Sequence, residues 1–199
     1  MSAFTWPPES PAPAGAGGDP GEQIQAAVLV PVFISGDQPE PHVVLTKRRE
    51  DLRRHAGEIA FPGGRRDAED PNLLHTALRE AHEEIGLPPE QVRQLGALEP
   101  VSTFATNYII HPYVGEIPSG VAWRLSAKEV DQVLELPVSA LRQGRTTAPI
   151  TRRGITFETD AYVLDGHVIW GATARIIATL LPRLRHIADG AAEEPLSLE

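Results

Sequence analysis

The chain contains no cysteine. Disulfides, thiolate metal ligands and a thiol nucleophile are therefore excluded, although the absence identifies no compartment by itself. Aromatic residues are scarce, at 6% of 199 residues. No apolar run is long enough to span a bilayer, and the N-terminus lacks the basic start and apolar core of a signal peptide. The expectation is a protein without a membrane segment, with the cytoplasm as default. Lysine and arginine are missing from both ends. Residues 1–22 hold Glu9, Asp19 and Glu22, and residues 187–199 hold Asp189, Glu193, Glu194 and Glu199. These seven acids account for most of the net charge of −9 and leave −2 for the body. Rich in proline, glycine and alanine, residues 1–22 read as a tail, and 189–199 as a second tail. One domain is expected over 23–188.

What is present is concentrated between residues 44 and 87. Residues 47–66 carry Lys47, Arg48, Arg49, Arg53, Arg54, Arg65 and Arg66 against Glu50, Asp51 and Glu58, a local charge of +4. Directly after this basic stretch comes an acidic helix. Leu74, Ala77, Leu78, Ala81 and Ile85 recur at helical spacing and form one apolar stripe. Glu80, Glu83 and Glu84 border it. Carboxylates three and four apart share a helical face and repel one another. A hard divalent cation is a physical reason to keep them together, because such ions take oxygen ligands and bridge to phosphate. A solvated face paired with arginines is the plain alternative. Asp70 and Pro71 suit a helix start at N-cap and first position, and Gly86 suits its end. Gly63-Gly64 reads as a turn that lets backbone approach metal or phosphate.

The run Arg79-Glu80-Ala81-His82-Glu83-Glu84-Ile85-Gly86-Leu87, with Gly64 upstream, resembles the Nudix box. Asp70 stands where the general pattern has Glu, and the interval to Arg79 is one residue longer. Both departures are similar to those of the coenzyme A pyrophosphatase branch. That branch has a signature before the box, which Leu45, Thr46, Arg48, Leu52, Arg53, Gly57, Phe61, Pro62, Gly63 and Gly64 match in register. Arg49 replaces a serine and Ile59 a valine. The resemblance spans about residues 24–186.

The resemblance implies an α+β fold, an α/β/α sandwich with a mixed sheet between helices. It implies hydrolysis of coenzyme A or acyl-coenzyme A to 3′,5′-ADP and 4′-phosphopantetheine with Mg²⁺ or Mn²⁺. Glu80 and Glu84 would bind the metal, and Glu83 directly or through water. Arg79 would hold a glutamate of the box. Arg48, Arg53, Gly63 and Gly64 would contact substrate. The general base stays open among Glu83, Glu84 and a loop residue such as Glu116. Another substrate of the same class, such as ADP-ribose, NADH or a nucleoside triphosphate, remains an alternative, as does a non-catalytic ligand-sensing domain. No groove-reading motif points to nucleic acid, and oligomeric state, a homodimer included, is open.

Local patterning predicts strands over 26–34, 42–47, 59–61, 94–101 and 109–117, with a turn at Gly36-Asp37. A helix is predicted over 126–134, a hairpin over 157–170 around Asp165-Gly166, and a last helix over 172–187. Neither tail has an apolar period that could build core. Deleting residues 1–20 and 190–199 is therefore expected to leave metal-dependent turnover nearly unchanged, and a large loss would make one tail a working part of the domain.

Overall fold

The computed structural model describes residues 23–35, 39–52, 55–103, 107–152 and 154–184. The Gly36-Asp37 turn, Arg53, the end of the last predicted helix and the whole of both tails lie outside the described residues.

The first two strands, β1 (Ile24–Ser35) and β2 (Glu40–Arg48), are antiparallel, pairing Val32–Ser35 with Val43–Glu40. They then splay apart. Into the wedge runs a single segment: β3 (Ile59–Ala60) pairs with β2, and β4 (Gly63–Arg65) pairs with β1. The other edge of β1 is taken along its length by β7 (Tyr108–Glu116), in parallel. Against β7 lie β5 (Arg93–Ala97) and β6 (Val101–Ser102). The outer edge of β2 is taken by β8 (Val130–Pro137). The result is a mixed eight-stranded sheet, as expected for this fold class.

Helix α1 (Leu73–Ile85) covers one face of the sheet. Its Ala77, Ala81 and Ile85 pack on Ala27, Leu29, Phe33 and Val44. The small alanines let the helix axis come close to the sheet, which places the intervening glutamates against β4. The opposite face is covered by α2 (Val138–Gln143), α3 (Gly171–Arg183) and a second, three-stranded sheet. That sheet comprises β9 (Arg145–Arg152), β10 (Ile155–Leu164) and β11 (His167–Trp170), all antiparallel. The predicted apolar side of α3 is buried, with Ile176, Ile177, Leu180, Leu181 and Leu184 in the core.

Four expectations need correction. Gly63-Gly64 is not a turn but strand β4. Backbone crowding explains the glycine: a Cβ on Gly63 would stand 2.4 Å from the Ala27 carbonyl oxygen. The predicted helix over 126–134 is instead a loop followed by β8. Its register with β2 slips after Val130, so Arg48 faces Val130 while Lys47 faces Gln132. The bulged residue stretches a two-residue alternation into the spacing Val130, Val133, Leu134, which imitates a helical stripe. The strand expected over 94–101 is divided into β5 and β6.

The last correction concerns the start of α1. Asn72, not Asp70, is the N-cap, and its Oδ1 accepts from the His75 backbone N–H at 2.9 Å. Pro71 accordingly precedes the helix. Gly86 does end it, at φ 69°, where a Cβ would also meet the Arg124 Cβ at 2.7 Å.

Candidate active site

The site is built where α1 crosses the wedge segment β3–β4. Glu84 is buried, at 4% exposure. One carboxylate oxygen accepts from the Gly63 backbone N–H at 3.3 Å, and the other from Arg48 Nη1 at 3.4 Å. Both contacts are long, and they do not offset the loss of water. Burial, with Glu80 and Glu129 adding repulsion, pushes the Glu84 carboxyl up to about 8, against the opposing pull of Arg48 and Gly63. Glu80 is shifted the same way by burial, with Arg79 opposing. Gly64 makes room for it, since a Cβ there would sit 2.4 Å from the Glu80 carboxyl carbon.

Arg79 organises the acids. Its Nε and Nη2 grip the two oxygens of Asp70 at 3.1 and 3.0 Å. Its Nη1 lies 3.0 Å from Glu80 and 3.3 Å from Glu83, and Nη2 also donates to the Arg65 carbonyl at 3.3 Å. Asp70 is buried and fully engaged. Besides Arg79 it accepts from the Asp67 N–H at 3.0 Å and the Thr76 hydroxyl at 2.8 Å, and His75 Nδ1 lies at 3.0 Å. Arg79 foremost holds its carboxyl well below the usual range. Asp70 thus anchors Arg79 through both carboxylate oxygens.

The predicted residues do not all converge. Glu80, Glu84, Arg48, Gly63 and Gly64 are brought together. Glu83 is exposed and turned to Arg79. Glu116 is paired with Arg93 across β5 and β7. Arg53 lies outside the described residues. Sequence reading missed Glu129, which precedes β8. Arg48 Nη2 lies 3.5 Å from its Oε2, and its charge is felt by both Glu80 and Glu84. The loop that carries it is tied to α1 by Ser126 N–H to the Glu84 carbonyl at 2.8 Å, and to β2 by Arg49 N–H to the Glu129 carbonyl at 3.0 Å. In the sequence it belongs to the run Glu129-Val130-Asp131, which a helical reading absorbed.

The donor set suits a divalent cation. It offers carboxylate oxygens alone, one of them buried without adequate neutralisation, beside a glycine that leaves the space clear. Among the described residues, no three acidic or histidine side chains already meet at one point. Glu80 and Glu84 would hold the ion, with Glu129 on the rim.

Comparison with known proteins identifies the family. The NUDIX domain family matches residues 23–154. Proteins from Salmonella newport (strain SL254) and Salmonella enteritidis PT4, both named uncharacterized Nudix hydrolase NudL, are 42% identical over 160 residues, covering 79% of this chain and 81% of theirs. The chain belongs to the Nudix family. It is a Nudix hydrolase acting on a pyrophosphate bond, in a family that generally uses divalent metal ions. Fold likeness extends to the Nudix hydrolase RenU from M. smegmatis, with TM-score 0.55, 16% identity, and 83% and 85% of the two chains covered. It extends also to the NUDIX domain of Shewanella oneidensis NrtR, solved with ADP ribose, with TM-score 0.54, 18% identity, and 82% and 89% covered.

Replacing Asp70 by Asn would leave Arg79 without its buried counter-charge. Losing the charge-assisted bonds costs about 1.5–3 kcal/mol, because Arg79 keeps Glu80 and Glu83 as partners, and Arg79 would be freed to pull both out of place. A fall in both denaturant midpoint and kcat is expected. Because the Asp70 pKa is depressed, its stabilisation is present above its ordinary value of 3.8 and lost as pH falls below it. The Asn variant should therefore lose part of the acid limb of the stability profile. Unchanged stability across that limb would remove Asp70 from this role.

Proposed function

We propose that this Nudix hydrolase cleaves the pyrophosphate of coenzyme A or acyl-coenzyme A, giving 3′,5′-ADP and 4′-phosphopantetheine. The observation that carries the proposal is the placement of the signature segment. Described residues of that segment reach the acids and form one wall of the site: Arg48 donates to Glu84, Gly63 donates to the same carboxylate, and Gly64 packs against Glu80. A nucleoside diphosphate derivative laid over that wall meets guanidinium, backbone N–H groups and carboxylates in one place. Arg48 matches phosphate geometry, and its Nε is buried without a hydrogen-bond partner among the described residues.

The residues divide the work as follows. Glu80 and Glu84 would hold Mg²⁺ or Mn²⁺, with Glu83, which here faces Arg79, reaching the ion through water. Such an ion neutralises the pyrophosphate charge and makes a water more acidic. Arg79 keeps the acids in register, and Asp70 keeps Arg79 in register. Gly63 and Gly64 keep the floor of the site free of side chains. Glu129 is the carboxylate placed to accept the proton of the attacking water. It is half-exposed, on a separate segment, and not committed to Arg79. The family resemblance assigns Arg53, outside the described residues, to the phosphates as well. ADP-ribose or another nucleoside diphosphate derivative is the second reading, because a shared fold does not select a substrate.

Purified protein with Mg²⁺ should hydrolyse coenzyme A faster than ADP-ribose, NADH or nucleoside triphosphates, with 3′,5′-ADP and 4′-phosphopantetheine identified by mass. Glu80→Gln and Glu84→Gln should each lower kcat by at least ~10², about 2.7 kcal/mol of barrier. Rapid turnover of ADP-ribose with none of coenzyme A would overturn the substrate, and near-normal kcat in both variants would overturn the metal ligands.

A further inference from the structure

Where β10 and β11 pair, the second sheet has one face in the core and one in the open, and residues 155–160 of β10 are open on both faces. Tyr162, Leu164 and Ile169 point inward. The strand pairings place Ile150, Ile155, Phe157, Val163, Val168 and Trp170 together on the other face. Of the five large apolar side chains exposed among the described residues, four stand here: Ile155 at 68%, Phe157 and Val163 at 41%, and Val168 at 39%. A contiguous apolar face of this kind marks a binding surface more often than chance exposure does. The question is what covers it.

Its position answers that question. A continuous series of contacts leads from the buried carboxylate to the face. Arg48 donates to Glu84 at 3.4 Å, and its backbone N–H donates to the Glu58 carbonyl at 3.0 Å. The Glu58 side chain lies 3.8 Å from Arg152 Nη2. Arg152 stacks over the Trp170 ring, 5.5 Å from its centroid, and Phe157 meets Trp170 edge-on at 6.3 Å. One end of the apolar face, at Arg152 and Trp170, therefore meets Glu58, on the edge segment whose backbone bonds to Arg48 beside the acids. An occupant with an anionic end at that segment and an uncharged arm would satisfy both regions.

We propose that this face is the subsite for the uncharged arm of the substrate, the pantetheine chain and any acyl group on its sulfur. The proposal rests on the coenzyme A reading. Methylenes and acyl carbons lie against Phe157, Val168 and Trp170, and Arg152 supplies N–H donors to the amide oxygens of the arm. The 3′,5′-ADP half needs none of these residues. The face thereby sets preference among thioesters without touching the bond that is cut.

The test is a kinetic comparison of Phe157→Ala and Val168→Thr with the unmodified enzyme. Both side chains are exposed, so the fold should be kept. With dodecanoyl-coenzyme A, Phe157→Ala should raise KM roughly tenfold to a hundredfold, the range expected for losing a buried aromatic contact. Val168→Thr should raise it less. The value of kcat at saturation, and the inhibition constant of 3′,5′-ADP, which has no arm, should not move. Turnover of coenzyme A with unchanged KM for the dodecanoyl thioester in both variants would overturn the subsite alone. Conversion of a dimer to monomers by Phe157→Ala, read by light scattering, would assign the face to a second copy instead. No turnover of coenzyme A by the unmodified protein would overturn the substrate reading, and the subsite with it.

Discussion

Glu84 carries a carboxylate that has been taken out of water and given too little in return. A buried carboxylate with one guanidinium at 3.4 Å and one amide at 3.3 Å keeps its proton near neutrality. Much of the surrounding structure can be understood as what is needed to hold it there. The alanines of α1 bring the helix onto the sheet. The wedge segment between β1 and β2 delivers Gly63 and Gly64 to the helix. The loop before β8 is bonded to the last turn of α1 and brings Glu129 alongside. An apolar side chain would serve the core better at this position, which supports the ligand role proposed for Glu84.

Repulsion among the acids is contained by a second constraint, the Asp70–Arg79 pair. Asp70 is buried and satisfied on every side, which fixes the guanidinium and leaves only Nη1 to reach Glu80 and Glu83. One side chain thus orders two acids while Glu84 is ordered from the opposite direction by Arg48. These two cations act on different oxygens and come from different elements. That arrangement holds the Glu80 and Glu84 carboxyls apart. Their opposite pKa shifts, Asp70 down and Glu84 up, follow from the same burial with and without adequate partners.

Much of this was legible in the sequence because short-range spacing encodes it. The stripe Ala77, Ala81, Ile85 announced α1, Gly86 announced its end, and the Asp165-Gly166 hairpin was plain. The crowding at Gly63 was only half legible: glycine was expected, but for a turn and not for a strand pressed against Ala27. Asp70 misled because Asp-Pro-Asn offers two caps, and only tertiary contact with Arg79 decides between them. Val130 to Leu134 misled because a bulge against β2 gives strand residues helical spacing. Glu129 could not be found at all by local pattern, since its neighbours Arg48 and Glu84 lie 81 and 45 positions away in the chain. The three-stranded sheet was seen only as its hairpin, because β9 is exposed along most of its length and shows little alternation.

The central claim is that the Glu84 charge is tolerated only with a cation beside it, and differential scanning calorimetry with and without Mg²⁺ tests it most directly. A folded-state pKa raised from 4.5 to about 8 stabilises the protonated protein at low pH, and that contribution is lost as pH rises through this window. Without metal, the melting temperature should therefore decline between about pH 5 and pH 8.5, if other groups titrate equally in both states. Mg²⁺ should restore it, and by more at the alkaline end, because the metal competes with the proton. Glu84→Gln should flatten the decline and abolish most of the Mg²⁺ effect. A Mg²⁺-induced rise of equal size in Glu84→Gln and in the unmodified protein would contradict the claim.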